Sequence, residues 1–218
     1  MNEFRDIYNR KNNKYFSGIR YDIINLIEGF NHNILELGCG AGNTLVELKK
    51  QGKAKNAVGI DIIDLGQSKK LDKFILADIE NIELNSLNEY FDVIICADVL
   101  EHLKDPWSVV RKLKNFLKTD GVLIASIPNV REYRTILSIL LNGDFKYVES
   151  GILDKTHLRF FCKKNMIDLF ESSGLKVCKI TYNLHLAPRR KVFNKLTLKF
   201  FEEFLVVQYL MVAKKMRF

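Results

Sequence analysis

The chain has 218 residues, of which 47% are hydrophobic, with four cysteines and a formal net charge of +8. That content buries one substantial core and leaves no room for a second independent domain, so a single unit over residues 1–218 is expected. Cys39, Cys96, Cys162 and Cys178 form no C-x-x-C pair or Cys/His cluster, which argues against a zinc site or a disulfide framework, and no apolar leader follows Met1, which favours a reducing cytoplasm.

In chain order, apolar residues at Phe16, Ile19, Ile23, Ile24 and Ile27 recur at helical spacing from Tyr15 to Gly29, giving a lead-in helix within residues 1–30. Ile34 to Leu37 reads as a short buried strand and Gly42 to Lys50 as a helix. Ala57 to Ile60, ending in Asp61, and Phe74 to Ala77, ending in Asp78, follow as strands. Phe91 to Cys96 is a near-continuous apolar run, the pattern of a parallel strand buried on both faces. Asp105-Pro106 then supplies an N-cap and a first-turn proline for a helix through Val109, Val110, Leu113 and Leu117. Thr119-Asp120-Gly121 turns the chain into a strand from Val122 to Ile127 that stops at Pro128. Arg131 to Leu141 reads as helix, Asn142 to Arg159 as an irregular insertion, and Lys164 to Ser173 as a helix closed by Gly174. Leu175 to Tyr182 and Leu205 to Val212 are the last strands. Alternating strands and helices imply a doubly wound α/β sheet that binds ligands at the carboxyl ends of its strands.

Most of the excess charge lies from Arg189 onward, at Arg189, Arg190, Lys191, Lys195, Lys199, Lys214, Lys215 and Arg217 against Glu202 and Glu203. Such a segment suits a solvated face, an anionic substrate or peripheral contact with an anionic membrane. Glu202, Glu203 and Gln208 interrupt the apolar stretch from Phe200 to Val212, so no transmembrane segment is expected there. No motif interleaves aromatic and basic residues, and no nucleic-acid partner is expected.

The chemistry concentrates in Asn33-Ile-Leu-Glu-Leu-Gly-Cys-Gly-Ala-Gly-Asn43. A strand feeding a glycine-rich turn and a helix start lets a ligand approach the backbone and offers it free N–H donors. Dinucleotide binding wants G-x-G-x-x-G, but the glycines here are Gly38, Gly40 and Gly42, with Asn43 where the third would stand. The stretch resembles motif I, E/D-x-G-x-G-x-G, of the class I S-adenosylmethionine-dependent methyltransferases, with Glu36 as its acidic member. That resemblance implies a Rossmann-like, mostly parallel seven-stranded sheet with an antiparallel last strand. It implies S-adenosylmethionine as cofactor and S-adenosylhomocysteine as product.

The cofactor residues then follow. Gly38, Cys39, Gly40 and Gly42 would approach the methionine and ribose, and Glu36 would hold the ammonium. Asp61 stands near the offset at which an acidic residue meets ribose hydroxyls, and Asp78 would accept from the adenine amino group. Ile62, Ile79 and Ala97 flank these positions, and Tyr15 and Arg20 would close over the cofactor from the lead-in helix. Ala97-Asp98-Val-Leu-Glu101-His102-Leu is the segment after the fourth strand. It is not the [D/N/S]-P-P-[Y/F/W] box of enzymes that methylate amino groups, and no Walker A loop occurs, which removes an NTPase.

A closer likeness rests on Tyr15-Phe16 with Arg20, Asp98 to Trp107, Ser126-Ile-Pro-Asn-Val130, Leu140 to Tyr147 and Gly151 to Phe161. Together they resemble a bacterial class I family associated with glycosyltransferases and surface-polysaccharide synthesis. The expected reaction is O-methylation of a sugar or glycan intermediate. Another small-molecule hydroxyl, or a non-catalytic cofactor-binding protein in a glycan-assembly system, is the alternative, and a homodimer is left open.

On the substrate side, residues 131–162 form the expected lid. His157 is the candidate base that takes a hydroxyl proton, with Asp154 orienting it, Arg159 pairing with a substrate phosphate or carboxylate, and Asn129 and Tyr147 as further substrate contacts. His102 is the competing base. In the plainer alternative, Asp154 and Thr156 cap a turn and His157 bonds the backbone. With Glu36, Asp61 and Asp78 committed to the cofactor, no metal is expected.

Overall fold

A computed structural model describes residues 18–182 and 201–216. Tyr15 and Phe16, and the basic residues Arg189 to Lys199 and Arg217, lie outside the described residues. The elements are α1 (Tyr21–Ile24), β1 (His32–Leu37), α2 (Asn43–Lys50), β2 (Ala54–Asp61), β3 (Lys73–Leu76), β4 (Phe91–Ala97), α3 (Pro106–Phe116), β5 (Leu117–Pro128), α4 (Tyr133–Asn142), α5 (Lys163–Glu171), β6 (Leu175–Thr181) and β7 (Gln208–Lys215).

The sheet runs β3-β2-β1-β4-β5-β7-β6, seven strands in which β7 alone is antiparallel to its neighbours β5 and β6. This is the Rossmann-like arrangement with an antiparallel last strand that the sequence implies. Successive strand residues feed opposite layers, because side chains alternate across a pleated sheet. Val93 and Ile95 pack with Ile23, Leu45 and Leu48 of α1 and α2, whereas Ile94 and Cys96 pack with Val110 and Leu113 of α3 and Phe170 of α5. Burial on both faces is why β4 reads as an unbroken apolar run.

Several boundaries differ from the expected ones, and three have a clear physical cause. Helical bonding in the lead-in segment stops within a turn: Leu26 N–H donates to Ile23 O and Ile27 N–H to Ile24 O, a tightening to three-residue spacing beyond α1. Strand β5 begins at Leu117, and its partner shifts from Phe91↔Leu117 to Val93↔Val122. Thr119-Asp120-Gly121 is thus a kink inside the strand, with Asp120 at φ 65° and paired with Lys214 at 3.1 Å. Strand β7 starts at Gln208 and not at Leu205, because Glu202–Phe204 form a 3-10 turn and the chain straightens only after Val207.

Asn129, expected as a substrate contact, is 1% exposed and holds that late connection in place. Its Nδ2 donates to Glu203 O (3.1 Å) and Val206 O (2.8 Å), and its Oδ1 accepts from Arg131 N (3.2 Å). Asn129→Ala strips the partner from these buried backbone groups and is expected to cost about 2–3 kcal/mol in urea unfolding. A loss below half a kcal/mol would show that the connection is held elsewhere.

Candidate functional site

The strand order makes β3, β2, β1 and β4 neighbours, so Asp78, Asp61, Glu36 and Asp98 stand at or just beyond the carboxyl ends of four adjacent strands. The order reverses between β1 and β4, the place where open α/β sheets leave a crevice. Gly38, Gly40 and Gly42 all hold left-handed backbone, with φ of 66°, 52° and 73°. A side chain at Gly38 would also collide with Val99, whose Cγ2 lies 2.5 Å from the position a Cβ would take. The loop is tied to β2: Gly38 N–H donates to Ile60 O and Gly40 N–H to Asp61 Oδ2, both at 2.8 Å. Asp61 Oδ1 accepts from Ile63 N at 3.0 Å, and burial raises this carboxyl despite those bonds. Ile62 is half-buried beside it.

Asp78 closes a turn, accepting from Glu80 N (2.9 Å) and Asn81 Nδ2 (2.6 Å), with Ile79 buried behind it. Cys39 contributes backbone to the loop while its thiol enters the core, in a space kept open by Gly59, where a Cβ would lie 2.6 Å from Sγ. Burial raises that thiol well above its usual range. Glu36 is 3% exposed, and its Oε2 is buried without a hydrogen-bond partner. Burial pushes its carboxyl up to about 8, against the pull of Arg20, with the charge of Asp61 adding to the rise. An orphaned carboxyl oxygen beside a loop stripped of side chains fits a ligand that brings a cation and needs close backbone approach. S-adenosylmethionine, with its ammonium, is such a ligand.

Arg20 reaches this edge from before α1. Its guanidinium bonds Asp98, Asp22 (2.8 and 2.9 Å) and Gln208 (3.3 Å). Asp98 follows the half-buried Ala97 at φ 55°, a strained setting for a side chain. It is held there by Arg20, by Gln208 Nε2 and by Ser126 Oγ at 3.1 Å. The network clamps α1, β4, β5 and β7 together at the carboxyl end of the sheet, a tie no local pattern announces.

The segment after β4 and the insertion after α4 meet in a buried cluster. Leu158 N–H and Arg159 N–H both donate to Glu101 O, at 2.8 and 2.9 Å. His102 and His157 stack edge to face, ring centroids 4.7 Å apart. His102 Nδ1 faces Thr156 O at 3.0 Å and His157 Nδ1 faces Ile152 O at 2.9 Å. A carbonyl only accepts, so each Nδ1 carries a proton, and in a neutral ring the basic nitrogen is then Nε2. Asp154 Oδ1 accepts from Thr156 N (2.9 Å) and Oγ1 (2.7 Å), so the turn-capping arrangement is present and the Ile152 carbonyl sets the His157 ring. Arg159 is exposed, its guanidinium on Lys104 O. Tyr147 is 53% exposed and continues an aromatic row through Phe145 (5.4 Å) and Phe160 to His157.

Glu101 was missed by sequence reasoning. It is 1% exposed, neither carboxyl oxygen has a hydrogen-bond partner, and burial, with the charge of Asp98, drives it well above the carboxylate range. One potential ligand atom each from Glu101, His102 and His157 lies within 4.8 Å of the others, a convergence the sequence expectation of no metal did not include.

The family described as Methyltransferase domain matches residues 4–180. The ubiquinone biosynthesis O-methyltransferase of Actinobacillus pleuropneumoniae serotype 7 (strain AP76) is 29% identical over 185 residues, covering 78% of this chain and 74% of that protein. Among solved structures, a SAM dependent methyltransferase from Archaeoglobus fulgidus superposes with TM-score 0.63 at 18% identity, over 94% of this chain and 96% of that one. The 1,6-didemethyltoxoflavin-N1-methyltransferase of Burkholderia thailandensis, solved with 1,6-didemethyltoxoflavin and S-adenosylhomocysteine, gives TM-score 0.60 at 13% identity, over 99% of this chain and 84% of that one.

Proposed function

Since the chain belongs to the Methyltransferase domain family, we propose that it O-methylates a hydroxyl of a sugar or glycan intermediate. It is an S-adenosylmethionine-dependent methyltransferase, and that cofactor is its methyl donor. When bound, the donor supplies an electrophilic methyl group on a sulfonium. Glu36 and the Gly38 to Gly42 loop bind and orient it, with Asp61 and Asp78 toward its ribose and adenine. The protein's share of the catalysis is alignment and acceptor activation.

The observation that carries the hydroxyl reading is the imidazole pair. Each ring is held with Nδ1 on a backbone carbonyl, the tautomer in which Nε2 is the basic nitrogen of a neutral ring. A hydroxyl needs such help at neutral pH, because its proton must leave as the methyl arrives. The row of Tyr147, Phe145 and Phe160 leading to His157 offers aromatic faces for a sugar's apolar C–H surface. A second reading, a hydroxyl on an apolar aromatic acceptor, is favoured by α4, where Leu140 and Leu141 are 72% and 76% exposed. Relatives named ubiquinone biosynthesis O-methyltransferase point the same way.

His157→Ala is expected to lower methyl transfer about 100-fold while S-adenosylmethionine affinity stays unchanged by calorimetry. The acceptor panel comprises sugar nucleotides, sugar phosphates and a substituted catechol. Turnover confined to the catechol moves the assignment to the second reading, and full activity in His157→Ala removes the imidazole from the chemistry.

A further inference from the structure

Glu101 poses a problem that a proton alone solves poorly. Its carboxyl is buried, lacks a hydrogen-bond partner at either oxygen, and feels the negative charges of Asp98 and Asp154. Burying such a group without partners is costly, and buried charges in proteins are paired or bind metals. Two imidazoles converge on it, each with its Nδ1–H fixed by a backbone carbonyl. That is the outer support found around metal-bound histidines, where the far N–H donates to an oxygen and directs the other nitrogen at the ion.

We propose that Glu101, His102 and His157 form a binding site for a divalent transition-metal cation that holds the acceptor oxygen. The proposal rests on the methyl-transfer reading and deepens it. Two nitrogen donors and one carboxylate favour Zn²⁺, Mn²⁺, Fe²⁺ or Co²⁺ over Mg²⁺ and Ca²⁺, which take oxygen ligands. Bond lengths of ~2.0–2.2 Å place ligand atoms on one ion somewhat closer together than the 4.8 Å span found here. A small side-chain closure completes the set, and His102, at the end of the 3-10 turn Leu100–His102, is half-buried where Leu100 and Glu101 are buried.

Three protein ligands leave a coordination position open for a substrate oxygen. The ion would join two segments, because His157 comes from the insertion while Glu101 and His102 come from the turn after β4. Val99, which leads into that turn, packs where Gly38 lacks a side chain, so the turn that carries Glu101 and His102 begins beside the glycine loop. A hydroxyl on the ion gives its proton to water, and its oxygen pair forms the O–CH3 bond. The S–CH3 pair stays on sulfur, and the sulfonium becomes a thioether. With the ion bound, the imidazoles act on the hydroxyl as ligands in place of the base role, and their neutral state remains essential.

Metal-stripped full-length protein titrated with Zn²⁺, with Co²⁺ as a visible-absorption probe and Mg²⁺ as the control, tests the site. One equivalent of Zn²⁺ should bind, displace Co²⁺ and ignore a millimolar Mg²⁺ background, and Glu101→Gln and His157→Ala should each weaken it at least ~100-fold. S-adenosylmethionine affinity, measured on the same samples, reports that both variants are folded. Absence of stoichiometric Zn²⁺ binding by wild-type protein that binds S-adenosylmethionine overturns the cation site and leaves the methyl-donor assignment standing. Zn²⁺ binding that is equally tight in both variants also overturns it, since the ion would then lie elsewhere.

Discussion

Alanine at Gly38 is expected to weaken S-adenosylmethionine binding by roughly three orders of magnitude, the largest single effect in the cofactor half. Two independent costs combine. Gly38 holds φ 66°, and a Cβ in left-handed backbone costs ~1–2 kcal/mol. The added carbon would also lie 2.5 Å from Val99 Cγ2, an overlap the branched side chain cannot relieve by swinging a flexible end. Forcing an extra methyl into such packing costs ~1–3 kcal/mol. Relieving the overlap shifts the loop, which disturbs the Gly38 N–H bond to Ile60 O and displaces the cradle. Gly66→Ala is the matched control, since Gly66 has φ 86° but open space around the missing Cβ. It should lose only the conformational part, seen as a modest drop in Tm with cofactor affinity retained. Equal cofactor affinity in Gly38→Ala and wild type would detach the loop from ligand binding.

The comparison of these glycines shows which signals travel through a sequence. The 38-40-42 spacing was readable because a tight turn after a buried strand demands left-handed backbone, and glycine supplies it at almost any position. The carboxylates at 36, 61 and 78 were readable because strand length and strand end are local properties of an apolar run. What the sequence left unreadable depended on partners far along the chain. Leu205 and Val206 extend the apolar pattern of β7 although the strand begins at Gln208, because Val206 is buried by the connection that Asn129 grips. The bonds of Arg20 to Asp98 and Gln208 exist only because α1, β4 and β7 converge. Nothing in the spacing around Glu101 marks it as buried. Its burial is set by the insertion, whose Leu158 and Arg159 amides close over its backbone carbonyl. Sites assembled from one segment are written in spacing, whereas sites assembled across the sheet appear only in the fold.

Glu36 makes the stability of the cofactor-free protein fall as pH rises, a trend opposite to that of a carboxylate held by a salt bridge. Its folded carboxyl titrates at about 8, against 4.5 for an exposed side chain, because burial disfavours the charged form. The folded state therefore binds the proton more tightly than the unfolded state. The resulting stabilisation is full below pH 4.5, declines through neutrality and is gone above pH 8. Across that window the difference is roughly 3–5 kcal/mol, read as a falling urea midpoint. Glu101, raised in the same direction by burial, adds to the slope. Glu36→Gln should remove the Glu36 share, and the Glu36→Gln, Glu101→Gln double variant should leave a shallower profile than either single variant. Binding of S-adenosylmethionine couples to the same proton, because an ammonium beside Glu36 favours the ionised carboxyl. Cofactor affinity is thus expected to rise between pH 6 and 8 by up to ~10-fold per unit, with about one proton released per cofactor. Calorimetry in two buffers of different ionisation enthalpy counts that proton. Binding without proton release at neutral pH, in a protein whose stability is flat over the same range, would mean that Glu36 is already ionised and that its orphaned oxygen has found a partner before the cofactor arrives.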